Sequence, residues 1–393
     1  MNPQSIGAVV FIFLMALFLV IERKKITLQK ILFPFLYFVM YRTKFGLNFM
    51  DKTAKRFSKP LQYISYFAIF LGFAGMILIS FALVQNIFTL LTKPQAAPGV
   101  GIVLPFEVKG AFYVPFFYWI ISIFVIAIVH EFSHGILARK YDMKIKSSGL
   151  AFLGVLLPVI PAAFVEPDEK ELKKRPAKQQ LSVFSAGPFA NILLAFIVVG
   201  ITMLIITPVS DSIIEADGVL VTGLIKDKPY PAEKAGMNAN ELIKSIDNIE
   251  TKYLINFSTL FQDKKPGDIV TITTNRSTYN ISLAENPENA SKPYLGVYVQ
   301  QHTKIKESFE KKYGKFLPLV IIWVIGLLYW LYVLNLGIGL FNLAPMGPLD
   351  GGRMLLVALQ KFLPEEKAVK YWKNIGFIFL GLVLVNVLFA FVR

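Results

Sequence analysis

The stretch VIAIVHEFSHGIL, residues 125–137, carries His130, Glu131 and His134 inside an apolar run that extends over 114–138. A run of that length crosses a hydrocarbon core as a helix. In a helix His130 and His134 project from one face toward a single point, because side chains four positions apart lie above one another. Imidazole nitrogens suit zinc in tetrahedral geometry, and a catalytic zinc site keeps one position for water. Glu131, next to the first histidine, can reach that water as general base, while the metal makes water nucleophilic near neutral pH and polarises a scissile carbonyl. Ionisable groups near the interior of a membrane helix are costly unless compensated, and so mark function. The plainer alternative is two histidines snorkelling at a helix end, with Glu131 paired to Arg139.

The whole chain suits a membrane setting. Its 393 residues are 55% apolar and 17% charged, with a mean hydropathy of +0.55; soluble domains sit nearer half apolar and a quarter charged. The formal charge of +15 is gathered beside the apolar runs, as a topology signal would place it, and no basic stripe interleaved with aromatics suggests nucleic acid as a partner. There is no cysteine, which excludes disulfides, thiolate metal sites, iron–sulfur clusters and cysteine nucleophiles together. Metal chemistry is left to His, Asp, Glu and water, and the histidines are three: His130, His134 and His302.

Runs long enough to span fall at about 5–21, 62–90, 114–138, 181–207, 316–342 and 374–392. Basic residues follow the first run (Arg23, Lys24, Lys25), precede the second (Arg42, Lys44, Lys52, Lys55, Arg56, Lys59), follow the third (Arg139, Lys140, Lys144, Lys146) and precede the fourth (Lys173, Lys174, Arg175, Lys178). With six alternating spans all four clusters share one side, which is expected to be cytoplasmic, with both termini outside. The first run reads as a reversed anchor rather than a signal peptide, since its charges follow it and no small-residue cleavage site is evident.

Two apolar stretches do not read as spans. Residues 31–41 are too short and are expected to lie in the interface or dip back. Residues 149–164 contain Pro158 and Pro161, which disfavour a straight helix, so a re-entrant loop or hairpin is expected, packed on protein or lining a wet cavity. From about 208 to 303 short β-branched runs alternate with Gly, Asn and Pro turns, enough for one small soluble domain, placed outside the cytoplasm by the same topology. The fold expected is thus a polytopic α-helical membrane protein of about six transmembrane helices with re-entrant or hairpin segments and an inserted extracytoplasmic α+β domain. Its parts are an N-terminal membrane region over 1–112 (two spans plus an interfacial segment), a first core part over 113–207, the soluble domain over 208–303, and a second core part with a final span over 304–393.

Two histidines leave a third protein ligand wanting. His302 follows the soluble domain on the other side and reads as an ordinary solvated histidine. Glu166, Asp168 and Glu169 share their run with Lys170, Lys173 and Lys174, as a solvated face would. Asp350 is the better candidate, in FNLAPMGPLDGGR over 341–353. That run closes a span travelling in the same direction as the His-Glu helix and so reaches the same depth. Pro345 and Pro348 break the helix, while Gly347, Gly351 and Gly352 permit close backbone approach. Asn342 could hold a substrate backbone or an oxyanion. Asn191, in SAGPFAN over 185–191, is a second candidate for that role, although the small residues there equally allow tight helix packing.

With HEFSH at 130–134, AGPFAN at 186–191 and NLAPMGPLDGG at 342–352 on the page, the chain resembles the site-2 protease family of intramembrane zinc metalloproteases over about 114–360. The resemblance implies His130, His134 and Asp350 as ligands of one zinc ion, Glu131 as catalytic base, and Asn191 and Asn342 near the substrate. It also implies cleavage of the transmembrane helix of a membrane-anchored protein near the cytoplasmic side, usually after another protease has removed the outer domain. The run 149–164 resembles the family's membrane-embedded strands, which pair with an unwound substrate by β-addition. The soluble insert is similar to a PDZ domain in Pro231-Ala232-Glu233-Lys234-Ala235-Gly236-Met237 and Pro293-Tyr294-Leu295-Gly296-Val297. It departs where Asn240-Glu241 stand in place of the more usual Gly-Asp. Peptide or substrate-ectodomain contact is the role this implies, and a filter against bulky outer domains is the alternative. The first 112 residues lie outside the resemblance.

The leading expectation is therefore an intramembrane zinc endopeptidase with the lipid bilayer around it. A divalent metal-ion transporter would want ionisable residues on several spans along a path. An inactive membrane scaffold would use the PDZ-like domain alone, and would not hold zinc tightly.

Overall fold

The computed structural model describes residues 3–32, 36–93, 96–155, 157–225, 228–287 and 289–392. Helix α1 (Pro3–Ile21) leads to an antiparallel pair, β1 (Ile26–Leu32) and β2 (Leu36–Thr43), then to the short helix α2 (Leu47–Arg56) and the long helix α3 (Ser58–Thr92). Strands β3 (Ile102–Leu104) and β4 (Ala111–Tyr113) precede α4 (Phe116–Lys140), which carries the His-Glu motif. A second pair, β5 (Ile145–Val155) and β6 (Leu157–Pro167), is followed by α5 (Glu169–Lys174) and α6 (Ala177–Ile201). Next come α7 (Thr207–Ile213), β7 (Ile214–Leu224), α8 (Pro231–Lys234), β8 (Leu242–Ile246), β9 (Ile249–Glu250) and α9 (Leu254–Gln262). Strands β10 (Ile269–Thr274), β11 (Thr278–Ser282), β12 (Ala284–Asn286), β13 (Asn289–Tyr294) and β14 (Val297–Ile305) lead to α10 (Glu307–Tyr313). The chain closes with α11 (Phe316–Phe341), α12 (Asp350–Phe362) and α13 (Glu365–Val392). It divides into two compact units, Met1–Thr202 with Ile325–Arg393, and Met203–Val324.

Among the described residues six helices are long and apolar enough to cross a membrane: Pro3–Ile21, Ser58–Thr92, Phe116–Lys140, Ala177–Ile213, Phe316–Phe341 and Glu365–Val392. Each contains or overlaps one of the expected runs. Large apolar side chains such as Phe13, Phe70 and Phe377 stand exposed on them, as lipid-facing positions require, and the chain is an integral membrane protein. Inside the first unit Met76, Leu137, Phe184, Leu343 and Met354, from α3, α4, α6, α12 and the loop before it, close one buried cluster.

The stretches 31–41 and 149–164 are strands, apart from residues 33–35 and 156, which lie outside the described residues. They belong to one antiparallel sheet in the order β1-β2-β5-β6, so the N-terminal region supplies half of it. Strand β6 lies at the sheet's edge, and its prolines are placed accordingly. Pro161 stands opposite Phe152 and Val165 opposite Ser148; the Val165 N–H donates to Glu131 rather than to β5. Peptides of the same parity, at 161, 163 and 165, therefore turn away from β5, and a proline there costs the ladder nothing.

The second unit is built on a sheet in the order β11-β10-β8-β7-β14, with β9 pairing β8. Its core comes from the inward positions of the three neighbouring strands β7, β8 and β10: Val219, Val221, Ile243, Ile246, Val270 and Ile272. The Asn240-Glu241 pair makes sense here. Asn240 takes φ 64°, the left-handed conformation in which glycine is the usual choice and asparagine the best substitute. Glu241 is fully buried. Its carboxylate accepts from the Asn238 N–H at 2.9 Å, the Thr274 hydroxyl at 2.8 Å and the Tyr279 hydroxyl at 2.9 and 3.0 Å. Burial alone would push its pKa up; these hydrogen bonds outweigh burial and hold the carboxyl below the ordinary glutamate value.

A depressed folded pKa contributes stability that is present above the unfolded value and is lost as pH falls through the folded one. In the intact protein, hydrogen-exchange protection of β8 and β10 is expected to fall as pH drops below the ordinary glutamate value of 4.5. Glu241→Gln should lower protection at neutral pH and flatten this acid dependence. An unchanged acid profile in the variant would show that Glu241 is not its source.

Candidate metal centre

Helix α4 brings His130 and His134 to one face, and α12 begins at Asp350. Asp350 Oδ2 lies 3.0 Å from His130 Nε2 and 3.3 Å from His134 Nε2. The three donor atoms all fall within 4.8 Å of one another, and they form the metal-capable group found among the described residues. Donors about 2.1 Å from a tetrahedral zinc ion lie about 3.4 Å apart, so the spacing fits.

The far sides of both rings are occupied in a way that turns Nε2 toward Asp350. His134 Nδ1 lies 2.7 Å from the Val183 carbonyl oxygen, which accepts only from a protonated nitrogen and so leaves Nε2 with its lone pair. His130 Nδ1 lies 3.1 Å from the side-chain nitrogen of Asn191, whose oxygen is buried without a partner. The two ends of an amide have the same shape. Turned over, the Asn191 oxygen accepts from His130 Nδ1–H, and His130 Nε2 is free to ligate. Three protein donors with a further position open to a cavity match a catalytic zinc site.

Glycines set the approach. A Cβ on Gly187 of α6 would stand 2.4 Å from His134 Nε2 and 2.6 Å from His130 Nε2, filling the space the ligand atoms face. A Cβ on Gly351 would meet the Leu343 carbonyl oxygen at 2.0 Å, and one on Gly352 the Met346 carbonyl oxygen at 2.0 Å. Both clashes are with backbone, so α12 can fold back under the end of α11 only with these two residues as glycine. The Gly351 N–H then donates to the Asn342 carbonyl at 2.8 Å, and the Trp372 indole N–H to the Gly352 carbonyl at 2.9 Å. Gly347, expected to act likewise, meets nothing closer than 3.5 Å.

A cavity of about 450 Å³ opens at the cluster, lined by His130, Glu131, His134, Asn191, Asn342 and Asp350 and by the edge strand from Pro161 to Val165. Glu131 Oε2 accepts the Val165 N–H at 3.0 Å, which fixes one carboxylate oxygen against β6. Arg139 pairs with Asp51, not with Glu131.

The acids set aside at the start have other partners. Glu166 accepts from Ser147 at 2.7 Å, Asp168 caps α5, and Glu169 pairs with Arg353 at 2.8 Å. His302 is on β14 of the second unit, 3.5 Å from Asp217. Gly187 and the Val165 peptide join the site without having been expected there from the sequence. Gly187 stood inside the quoted AGPFAN motif, whereas a backbone N–H has no sequence signal.

Six long apolar helices and a cluster of two imidazoles and a carboxylate define a membrane protein with a candidate metal centre. The chain belongs to peptidase family M50, which it matches over residues 118–383; this is the site-2 protease family of the resemblance. A protein of Methanocaldococcus jannaschii described as uncharacterized is 29% identical over 324 residues, 80% of this chain and 75% of that one. Among solved structures, the PDZ domain of an SdrC-like protein from Listeria monocytogenes is similar at 27% identity, covering 21% of this chain and 87% of that one, with a TM-score of 0.19.

Gly187→Ala should place a methyl group against both ligand nitrogens. The purified variant is expected to keep its helical content but bind zinc about 10–100-fold more weakly in a chelator competition, the loss that follows disturbed ligand geometry. Unchanged zinc affinity would show that the two imidazoles do not face Gly187.

Proposed function

We propose that the protein is an intramembrane zinc endopeptidase that hydrolyses peptide bonds within transmembrane segments of membrane-anchored proteins. The observation that carries this reading is the convergence of His130, His134 and Asp350 on one cavity that Glu131 also lines. Membership of a peptidase family supports it. His130, His134 and Asp350 would hold one zinc ion, which when bound supplies Lewis acidity toward water and the scissile carbonyl. Glu131 is the general base. Its Oε2 stays on the Val165 N–H, so Oε1 takes the proton from water and later passes it to the leaving amine. Asn191 holds the His130 ring in its ligating tautomer, and Asn342, on the cavity wall, hydrogen-bonds the substrate backbone or the developing oxyanion.

A transmembrane helix must unwind before its carbonyls can be attacked, and its freed peptides then need partners in an apolar setting. The edge strand β6 supplies them. Its Ala163 peptide turns outward along the cavity, two residues from the Val165 peptide that holds the base, so an unwound substrate strand would dock by β-addition. By the positive-inside rule, the basic flanks support a cytoplasmic side for this end of α4 and an extracytoplasmic one for the second unit. There the PDZ-like unit would contact substrate ectodomains or exclude bulky ones. A transporter reading gains no support, since the described residues gather metal-capable side chains at one place and not along a path.

Glu131→Gln should lower cleavage of a membrane-anchored reporter by about 10²–10⁴-fold while zinc content stays near that of the wild type. Asp350→Ala should lose both. Cleavage undiminished in Glu131→Gln would sink the assignment.

A further inference from the structure

The N-terminal region holds a surface that the peptidase reading does not use. Helix α2 and the residues either side of it, 44–59, present Lys44, Phe45, Asn48, Phe49, Lys52, Lys55, Arg56, Phe57 and Lys59 to the outside. Three of these are large aromatics, exposed by 71% at Phe45, 57% at Phe49 and 45% at Phe57. The acid within α2 is Asp51, and it is committed to Arg139 of α4. The exposed cations are thus left uncompensated on their own helix. Phenylalanine beside lysine and arginine on one face is the composition that sits at headgroup depth, with the rings in the acyl boundary and the cations on phosphates.

The opposite face of α2 is fixed to the helix that carries the site. Met50, fully buried, lies where a Cβ on Gly135 would be, 2.4 Å from its sulfur. The Phe132 ring, inside the HEFSH motif, sits 6.2 Å from the Phe45 ring and 6.3 Å from the Phe49 ring. Phe132 also occupies the place a side chain on Gly46 would need, and Gly46 takes φ 77°. Contacts at 132, 135 and 139 therefore tie α2 to the turns of α4 that follow Glu131; Phe45 and Phe49 touch Phe132 yet stay more than half exposed at the margin of that contact, and Lys52, Lys55, Arg56 and Phe57 form the surface beyond it.

We propose that the outer face of α2 docks on an anionic lipid surface, and that this docking steadies residues 132–139 of α4 beside Glu131. The occupant is lipid and not an acidic protein, because the cations are interleaved with exposed rings on an integral membrane protein and lie immediately before the span of α3. The docking does not depend on the peptidase reading; only its consequence for Glu131 does.

The absence of cysteine makes the test direct. Asn48→Cys, bearing a nitroxide, is placed in vesicles of phosphatidylcholine alone or with about a third phosphatidylglycerol. In anionic vesicles the label's accessibility to an aqueous nickel chelate should fall several-fold relative to neutral vesicles, and the difference should vanish in high salt or with Lys52→Gln, Lys55→Gln, Arg56→Gln and Lys59→Gln combined. Amide exchange over 132–139 should slow by about tenfold in anionic vesicles for the wild type alone. Equal accessibility in both vesicles, or a difference that survives salt and the combined substitution, overturns the docking. Docking without slower exchange overturns the coupling to α4. Neither readout requires cleavage, so a failed peptidase assignment leaves both outcomes legible.

Discussion

Two imidazoles and a carboxylate are held within a few ångströms of one another where water is scarce, and the rest of the first unit answers to that cost. A polar group taken from water must find a partner in the protein or lose free energy. Each ligand side chain here has one end on the cluster and the other on something fixed: His134 on the Val183 carbonyl, His130 on the Asn191 amide, and Asp350 at the start of a helix folded back by Gly351 and Gly352. Glu131 is tied to the Val165 peptide. Helices α4 and α6 come close enough for this because position 187 has no side chain. Removing any one tether leaves a buried group unpaired, so the geometry is cooperative in origin.

The sequence shows the site better than its surroundings. Helical spacing gives His130 and His134 a common face, and shared membrane depth favours Asp350 over His302. Those inferences use local periodicity and the length of apolar runs, which a chain displays openly. The sheet was partly hidden. Prolines at 158 and 161 argued correctly against a helix at 149–164, but nothing in residues 31–41 names a partner more than a hundred positions away. Arg42 lies opposite Gly149, and such pairing is set by which edges remain when everything else has packed. An apolar strand in a membrane protein also lacks the alternation that marks a half-solvated one.

Asn240-Glu241 teaches a related lesson about departures from a pattern. Read as letters, the pair differs from Gly-Asp at both positions. Read as conformation and hydrogen bonding, it keeps a left-handed residue followed by a buried carboxylate with three donors. What this position uses is a left-handed φ value followed by a buried acceptor, and Asn240 and Glu241 supply both. The departure therefore bears on local packing of the second unit and leaves its fold intact.

The N-terminal region changes meaning once the sheet is seen. It lies outside the family resemblance, yet its strands are half of the sheet whose far edge faces the cavity, and its helix α2 lies on α4 beside the motif. Reach to a carbonyl is sensitive to shifts of about 1 Å. Here the Glu131 carboxylate is bonded to β6 through the Val165 N–H, and the next residue of α4, Phe132, packs against Phe45 and Phe49 of the N-terminal region. On the proposed reading the strand that registers an unwound substrate is also the strand that holds the base. Substrate position and base position are then set against one backbone, and errors in the placement of the sheet move both together.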